Sequence, residues 1–389
     1  MLGLGVNGLS VARALASKGV EVHGVWSGGR EPGRYSRHCR TTAVAPVDSE
    51  QDFVEWLSEH TGHLDRPVVL PTSDRFALWL ARHRPRLAET CRLWTNGAEV
   101  VESLIRKDRF YSIVTSASLR SPAFLVAPEE AELRPWCALH PGPYLIKPFH
   151  EDALSNPLGA KNRVAPTADE LLAFSAEPGL AGLLVQRMLR GGDGWHYTVA
   201  GLCERSGRLR ALVTKRKLIQ YPPDRGIVAH ACIPACDTAA EETVFLDATK
   251  RLLGAVRYHG LFGCEWLKER ASGEIFALDF NPRSLYGNSH ILAAGVNLPY
   301  LAYRDLCGDE LTDIPERPAV RRVLWADAWG CAGAWSRLRG TGRLSWRALL
   351  SAVLASNAHA VWSWRDPLPG LVHSTMQFAQ ARRSRRDRQ

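Results

Sequence analysis

Apolar positions along this chain switch between a two-residue and a 3.6-residue period, and the switches mark its elements. Apolar residues recur at helical spacing from about Leu9 to Ser17, and Val20 to Trp26 then reads as a strand. Val68-Val69-Leu70 is a short buried strand that runs into the polar turn Pro71-Thr72-Ser73-Asp74, with a helix from about Arg75. Strand ends of open α/β sheets face ligands, whereas Ser73 or Asp74 would equally cap the helix, and both readings stay open. This alternation predicts a small α/β domain over residues 1–95. Further strands are predicted at Ser121 to Phe124, Tyr144 to Pro148, Leu183 to Leu189, Trp195 to Leu202 and Val213 to Leu218, with helices from Thr167 and over Ala239 to Arg257.

The richest chemistry lies in Gly260 to Arg283, GLFGCEWLKERASGEIFALDFNPR. Phe262 to Lys268 and Glu274 to Phe280 are β-prone runs separated by a polar stretch with Ser272-Gly273, the pattern of a β-hairpin. A turn centred on Ala271 or Ser272 sets Glu265 and Asp279 opposite or diagonal on one face, within roughly 8 Å. Asn281 and Arg283 share that parity, and Pro282, which cannot donate to a ladder, ends the strand. Two carboxylates and an amide oxygen are hard ligands of the kind Mg²⁺ takes beside phosphate. Arg283 adds a planar cation for phosphoryl or acyl-phosphate oxygens, and the set suits metal-assisted phosphoryl transfer. A surface hairpin with scattered charges is the alternative.

A glutamate in the first strand followed by acidic-x-Asn-Pro-Arg in the second resembles the metal and phosphate site of the ATP-grasp superfamily, which includes biotin carboxylase, the large subunit of carbamoyl phosphate synthetase and the D-aspartate ligases. The family form is Glu-x-Asn; Asp279 keeps the charge and shortens the reach by one methylene. The run GLGVNGLSVARALASKG resembles the opening of predicted carboxylate-amine ligases of the D-aspartate-ligase-like group. The resemblance covers about residues 1–310. It implies an α/β (α+β) protein with a Rossmann-like pre-ATP-grasp domain at 1–95, a two-lobed ATP-grasp domain at 96–310 with its lid lobe at about 115–187, and a C-terminal extension at 311–389.

The same resemblance assigns roles. Lys107, on the helix that opens the ATP-grasp region, and Lys147, at the end of a strand-Lys-Pro sequence, match two lysines that touch the nucleotide; a buried ammonium at Lys147 also calls for an anion on elementary grounds. Gln186, Met188 and Leu189 match the hinge against adenine, with Gln186 where a glutamate is frequent. His150 to Asn162 takes the place of the phosphate flap, with Gly159 as its only glycine. Lys215 and Lys217 share a strand face opposite to Arg216, and Lys217 fits the phosphate-facing position; a solvated edge strand is the other reading. His196 reads as structural or substrate-facing. Metal ligands are then Glu265, Asp279 and Asn281, and catalytic cations Arg283 and Lys217. The implied activity is an ATP- and Mg²⁺- (or Mn²⁺-) dependent ligase that joins a carboxylate to an amine or thiol through an acyl phosphate. The small polar loop Ser284 to His290 is available to hold the carboxylate or amine.

Gly3-Leu4-Gly5-Val6-Asn7-Gly8 matches G-x-G-x-x-G, so an NAD-dependent dehydrogenase is a rival. Against it, Ser27 and Gly28 stand where a ribose-binding acid belongs. The glycines follow the start by two residues, so either the true start lies upstream or the sheet edge is short. Other ATP-grasp phosphotransfer or carboxylation, and a non-catalytic nucleotide-binding scaffold, also stay open.

Composition changes the picture little. With 389 residues, 46% hydrophobic and 23% charged, the chain is an ordinary globular one. Its net charge of +9 favours polyanions without separating ATP from acidic polymers. No RNP motif or Walker A sequence is present, so neither nucleic acid nor P-loop kinase chemistry is expected. Nine cysteines without C-x-x-C pairs, no signal peptide and no uncharged apolar run of ~20 residues point to a reducing cytoplasm. Small-molecule carboxylates and amines are the expected partners, and an oligomer stays open. From about residue 311, tryptophans and arginines crowd a stretch ending in Asp366-Pro367-Leu368-Pro369, read as a docked extension, with a peripheral membrane or protein partner left open. The tail from Ala381 to Gln389 is expected to be disordered.

Overall fold

The computed structural model describes residues 1–386 apart from 30, 95, 150–155, 161 and 178, with backbone alone at 41–43 and 380–386. The first region holds a parallel pair, β1 (His23–Trp26) and β2 (Arg40–Val44). The strand expected before the glycines is reduced to Leu2, bridged in parallel to Val25 on one side and Pro71 on the other. Helix Val6–Ala16 follows directly. Ser73 caps helix Asp74–Arg82 by accepting from the Phe76 N–H, which settles the cap in favour of Ser73. Leu2, Val25, Phe53, Leu57, Val69, Phe76 and Trp79 form this region's core.

A four-stranded antiparallel sheet follows: β3 (Phe124–Val126), β4 (Tyr144–Pro148), β5 (Arg163–Ala165) and β6 (Leu183–Arg187), ordered β3-β6-β4-β5. Strand parity decides what each face does. Tyr144, Ile146, Leu183 and Val185 point into a core with Leu133, Trp136, Leu171 and Phe174 from helices Glu130–Leu139 and Ala168–Ala176. The alternate residues Leu145, Lys147 and Gln186 are left for the other face.

The large sheet comprises β7 (His196–Cys203), β8 (Leu209–Tyr221), β9 (Ile227–Ile233), β10 (Gly260–Lys268), β11 (Ile275–Asn281), β12 (Val323–Ala326) and β13 (Ala358–His359). Its order is β11-β10-β7-β8-β9-β12-β13, antiparallel except for the final pair. β8 lies between β7 and β9, so the edge-strand reading of Lys215 to Lys217 is overturned. One face packs on helices Lys107–Ser116 and Ala239–Val256 through Phe110, Phe245, Phe262, Cys264, Trp266, Ala277 and Phe280.

The region beyond residue 311 does more than dock, since β12 and β13 are two of the seven strands. Asp366 ties it to the first region: Arg13 pairs with its carboxylate at 3.0 Å, and Ser36 donates to the same group at 2.6 Å. Helix Leu368–Arg386 runs on into the tail expected to be disordered, so that expectation is corrected as far as Arg386.

Candidate active site

The hairpin forms in the expected register. β10 and β11 pair Glu265 directly with Asp279 and Gly263 with Asn281, which centres the connection on residue 272. A bulge next to Glu265 inserts Leu278, and it resolves a conflict of parity. Ala277 and Phe280 both enter the helix-side core, while Asp279 stays with Glu265 on the opposite face.

That face meets the free face of the four-stranded sheet, and the two enclose a cleft. Lys107, Lys147, Gln186, Met188, Leu189, Lys217, Glu265 and Asp279 all line it. Lys107 begins its helix and pairs with Asp279. Lys217 reaches across β7 to Glu265 at 2.8 Å. Both lysines are almost wholly buried, so each carboxylate meets an ammonium where water is scarce and the attraction is strong. The Tyr111 hydroxyl donates to Gln186 Oε1 at 2.8 Å and fixes that amide. The Met188 N–H is spent on the Pro143 carbonyl. Leu145, Leu189, Leu267 and Leu278 supply apolar walls.

Asn281 and Arg283 sit apart from the residues that line the cleft. Arg283 grips Asp74 with two bonds of 2.9 and 3.1 Å and donates to Asn281 Oδ1 at 2.9 Å. The arginine thus joins the end of the hairpin to the strand end of the first region, with Asp74 as its anchor. The flap expected at His150 to Asn162 lies largely outside the described residues; Asn162 accepts from Arg225 at 3.1 Å on the cleft wall.

Sequence reasoning missed Gln220, Asp224 and Arg225, which line the cleft together with His196, the residue it read as structural or substrate-facing. His196 faces Lys217 across the β7–β8 ladder, and burial together with that ammonium pushes its pKa down to about 3, so the ring is neutral. Lys215 is fully buried, and desolvation plus the neighbouring Lys217, offset by Glu265, lowers its ammonium to about 8. His196 reaches the cleft through its cross-strand register with Lys217, which sequence parity alone does not give.

In the N-terminal glycine turn, the Leu4 amide and the Asn7 side chain are bound internally. The Leu4 N–H donates to the Glu31 carboxylate at 3.1 Å. Asn7 donates to the carbonyls of Thr72 and Ser284, both at 2.7 Å, and accepts from the Ser284 hydroxyl at 2.8 Å. A pyrophosphate would have to displace the carboxylate from the amide it needs, which speaks against the dehydrogenase reading.

All nine cysteines are free. No described helix is long and apolar enough to cross a membrane.

No protein-family model matches the chain, and no curated protein matches it. Solved structures do. The biotin carboxylase domain of Hydrogenobacter thermophilus 2-oxoglutarate carboxylase, solved with MgADP, ADP and bicarbonate, superposes with a TM-score of 0.66 at 14% identity over 83% of this chain and 73% of that one. An L-amino acid ligase from Bacillus licheniformis gives 0.64 at 14% identity, over 83% and 78%. N5-carboxyaminoimidazole synthetase from Staphylococcus aureus gives 0.64 at 12% identity, over 88% and 84%. These neighbours are ATP-grasp enzymes, and the α/β (α+β) fold class that the resemblance implied is the one observed: the chain has the ATP-grasp fold.

Proposed function

We propose that this protein is an ATP-dependent ligase that activates a carboxylate as an acyl phosphate and passes the acyl group to an amine or thiol. The observation that carries this reading is the direct pairing of Glu265 with Asp279 in a buried cleft whose lysines already hold both carboxylates. Triphosphate binding requires positive charge, divalent-metal binding requires hard oxygens, and this cleft presents both within one ladder.

The donor set fits Mg²⁺ or Mn²⁺. Glu265 and Asp279 would hold the ion, joined by Asn281 once its oxygen is released from Arg283. When bound, the metal would neutralise the phosphates of ATP and polarise the transferred group. The chain's own residues do the rest. Leu145, Leu189, Leu267 and Leu278 enclose the adenine, with Gln186, Met188 and Leu189 at its edge. Lys107 and Lys147 hold the phosphates, with Lys107 leaving Asp279 for the nucleotide. Lys217 then stabilises charge on the transferred phosphoryl group. The carboxylate oxygen attacks the γ-phosphorus and ADP departs. Arg283, fixed by Asp74, steadies the acyl phosphate. The amine nitrogen or thiol sulfur attacks the acyl carbon, phosphate leaves, and the nucleophile loses its proton.

A second reading has a specific basis, because the neighbours include a carboxylase solved with MgADP and bicarbonate. Bicarbonate phosphorylation would use the same residues and differ only in acceptor. ADP release from the purified protein, with MgATP and pooled amino acids or other small carboxylates, with and without amines or thiols, tests both. Release that needs an acid together with an amine or thiol supports the ligase. Release with bicarbonate alone supports carboxylation. MgATP binding without any turnover would favour the scaffold reading, and absence of MgATP binding would sink the assignment of the cleft.

A further inference from the structure

The charge of this chain is unevenly placed. Residues 311–389 hold 13 arginines, no lysine and 5 carboxylates, a balance of +8 within a total of +9. Exposed apolar side chains concentrate in the same stretch. Trp346, Leu350, Leu354, Trp364, Leu368, Leu371 and Phe378 are seven of the fifteen large hydrophobic residues exposed among the described residues.

Helix Trp346–Leu354 shows how this arises. Ser345 caps it, accepting from the Ala348 N–H at 3.1 Å. Its apolar arc is wider than the core covers. Leu349 and Val353 pack on Ile219, Ala326, Cys331 and Ala334, whereas the adjoining row, Trp346, Leu350 and Leu354 at i, i+4 and i+8, is 57%, 47% and 75% exposed. No residue of this nine-residue helix is buried. Arg347 borders the exposed row, 5.6 Å from the Trp346 ring, and Arg339 is exposed on the preceding turn. Arg343 is not free for a partner, since it pairs with Asp224 on the cleft wall at 2.6 Å.

We propose that the exposed row of helix Trp346–Leu354 docks onto an anionic lipid surface, with Trp346, Leu350 and Leu354 entering the interface and Arg339 and Arg347 meeting acidic headgroups. An exposed row of three apolar side chains beside arginines is the form of an interfacial helix, and a lipid surface needs no shape complementarity. A second copy fits less well. It would set Arg347 against its own counterpart, and three side chains fall far short of the roughly 800 Å² per partner of a stable interface.

The test is co-sedimentation of the full chain with vesicles of phosphatidylcholine alone or mixed with phosphatidylserine, together with tryptophan emission and the solution mass. Binding to mixed vesicles only, weakened by salt and with blue-shifted emission, is expected. The double substitution Leu350→Glu, Leu354→Glu should reduce the partition onto mixed vesicles by about ten-fold or more with an unchanged Tm, since both side chains are already in solvent. Arg347→Glu should weaken it less. Equal binding to neutral vesicles, no binding to either, or binding that survives the double substitution would each overturn the proposal. A dimer that the double substitution dissociates would instead identify a second copy as the occupant.

Discussion

Two places in this chain look made for phosphate, the glycine turn at residues 3–8 and the hairpin at residues 260–283, and they differ in what their polar groups do. In the turn, the Leu4 amide is bound to Glu31, and Asn7 is bound to Thr72 and Ser284 at both ends of its amide. Those are neutral or single-charge bonds made once on folding, and a ligand gains nothing by replacing them. In the hairpin cleft, Glu265 and Asp279 are matched by Lys217 and Lys107, ion pairs that a nucleotide and its metal can part without leaving any charge uncompensated. The lesson is that a motif's spacing does not identify a binding site; what matters is whether its groups can be exchanged for a ligand's. The turn instead acts at a distance, because Asn7 fixes the residue that follows Arg283.

The largest effect should come from the exchangeable side. Asp279→Asn keeps the shape and removes the charge that pairs with Lys107, so ADP formation should fall by about 10²- to 10³-fold with the fold retained, and loss of the buried ion pair should lower Tm. Unchanged ADP formation would remove the hairpin from the chemistry altogether. Asp74→Ala tests the link between the two regions. It frees the Arg283 guanidinium from its two-bond anchor, and steady-state rates should drop by about 10- to 100-fold through misplacement of that cation, with MgATP affinity nearly unchanged. A loss of nucleotide affinity equal to the loss of rate would show that Arg283 binds nucleotide rather than the acyl phosphate.

Much of the fold and cleft was legible because local rules carry it. A hairpin's turn position fixes which residues face each other, so the pairing of Glu265 with Asp279 follows from counting outward from Ser272. Strand-Lys-Pro placed Lys147 by the same parity. The bulge at Leu278 was not legible, since nothing in FALDF announces an extra residue. Nor were the contacts of Arg283 with Asp74 and Asn7 with Ser284, which span 209 and 277 residues. Such pairs depend on how two regions dock, and no periodicity encodes that. β12 and β13 escaped because a four-residue and a two-residue strand give no alternation to read.

Asn7→Ala should produce a smaller effect, confined to stability. It removes one donor each from the Thr72 and Ser284 carbonyls and the Oδ1 acceptor of the Ser284 hydroxyl, costing about 1 to 3 kcal/mol in urea unfolding. No dinucleotide affinity should be lost with it, and a measurable NAD affinity in the parent would reverse the comparison.

Acid separates the two regions most finely. His196 lines the cleft with its pKa depressed to about 3 by burial and Lys217, against about 6.5 in the unfolded chain. The unfolded state therefore takes up the proton first as pH falls, so stability is complete above about pH 6.5 and declines toward pH 3 by up to about 1.4 kcal/mol per pH unit. His196→Gln should remove that increment of slope whatever it does to stability at neutral pH. Asn7→Ala involves no proton, and its cost should be the same at every pH in that range. Urea unfolding of the parent and both variants between pH 4 and 7 checks this: a parallel downward shift for the turn variant, a flattened slope for the cleft variant. If His196→Gln leaves the slope intact, the imidazole is already exchanging protons with water, and the cleft is wetter than its packing implies.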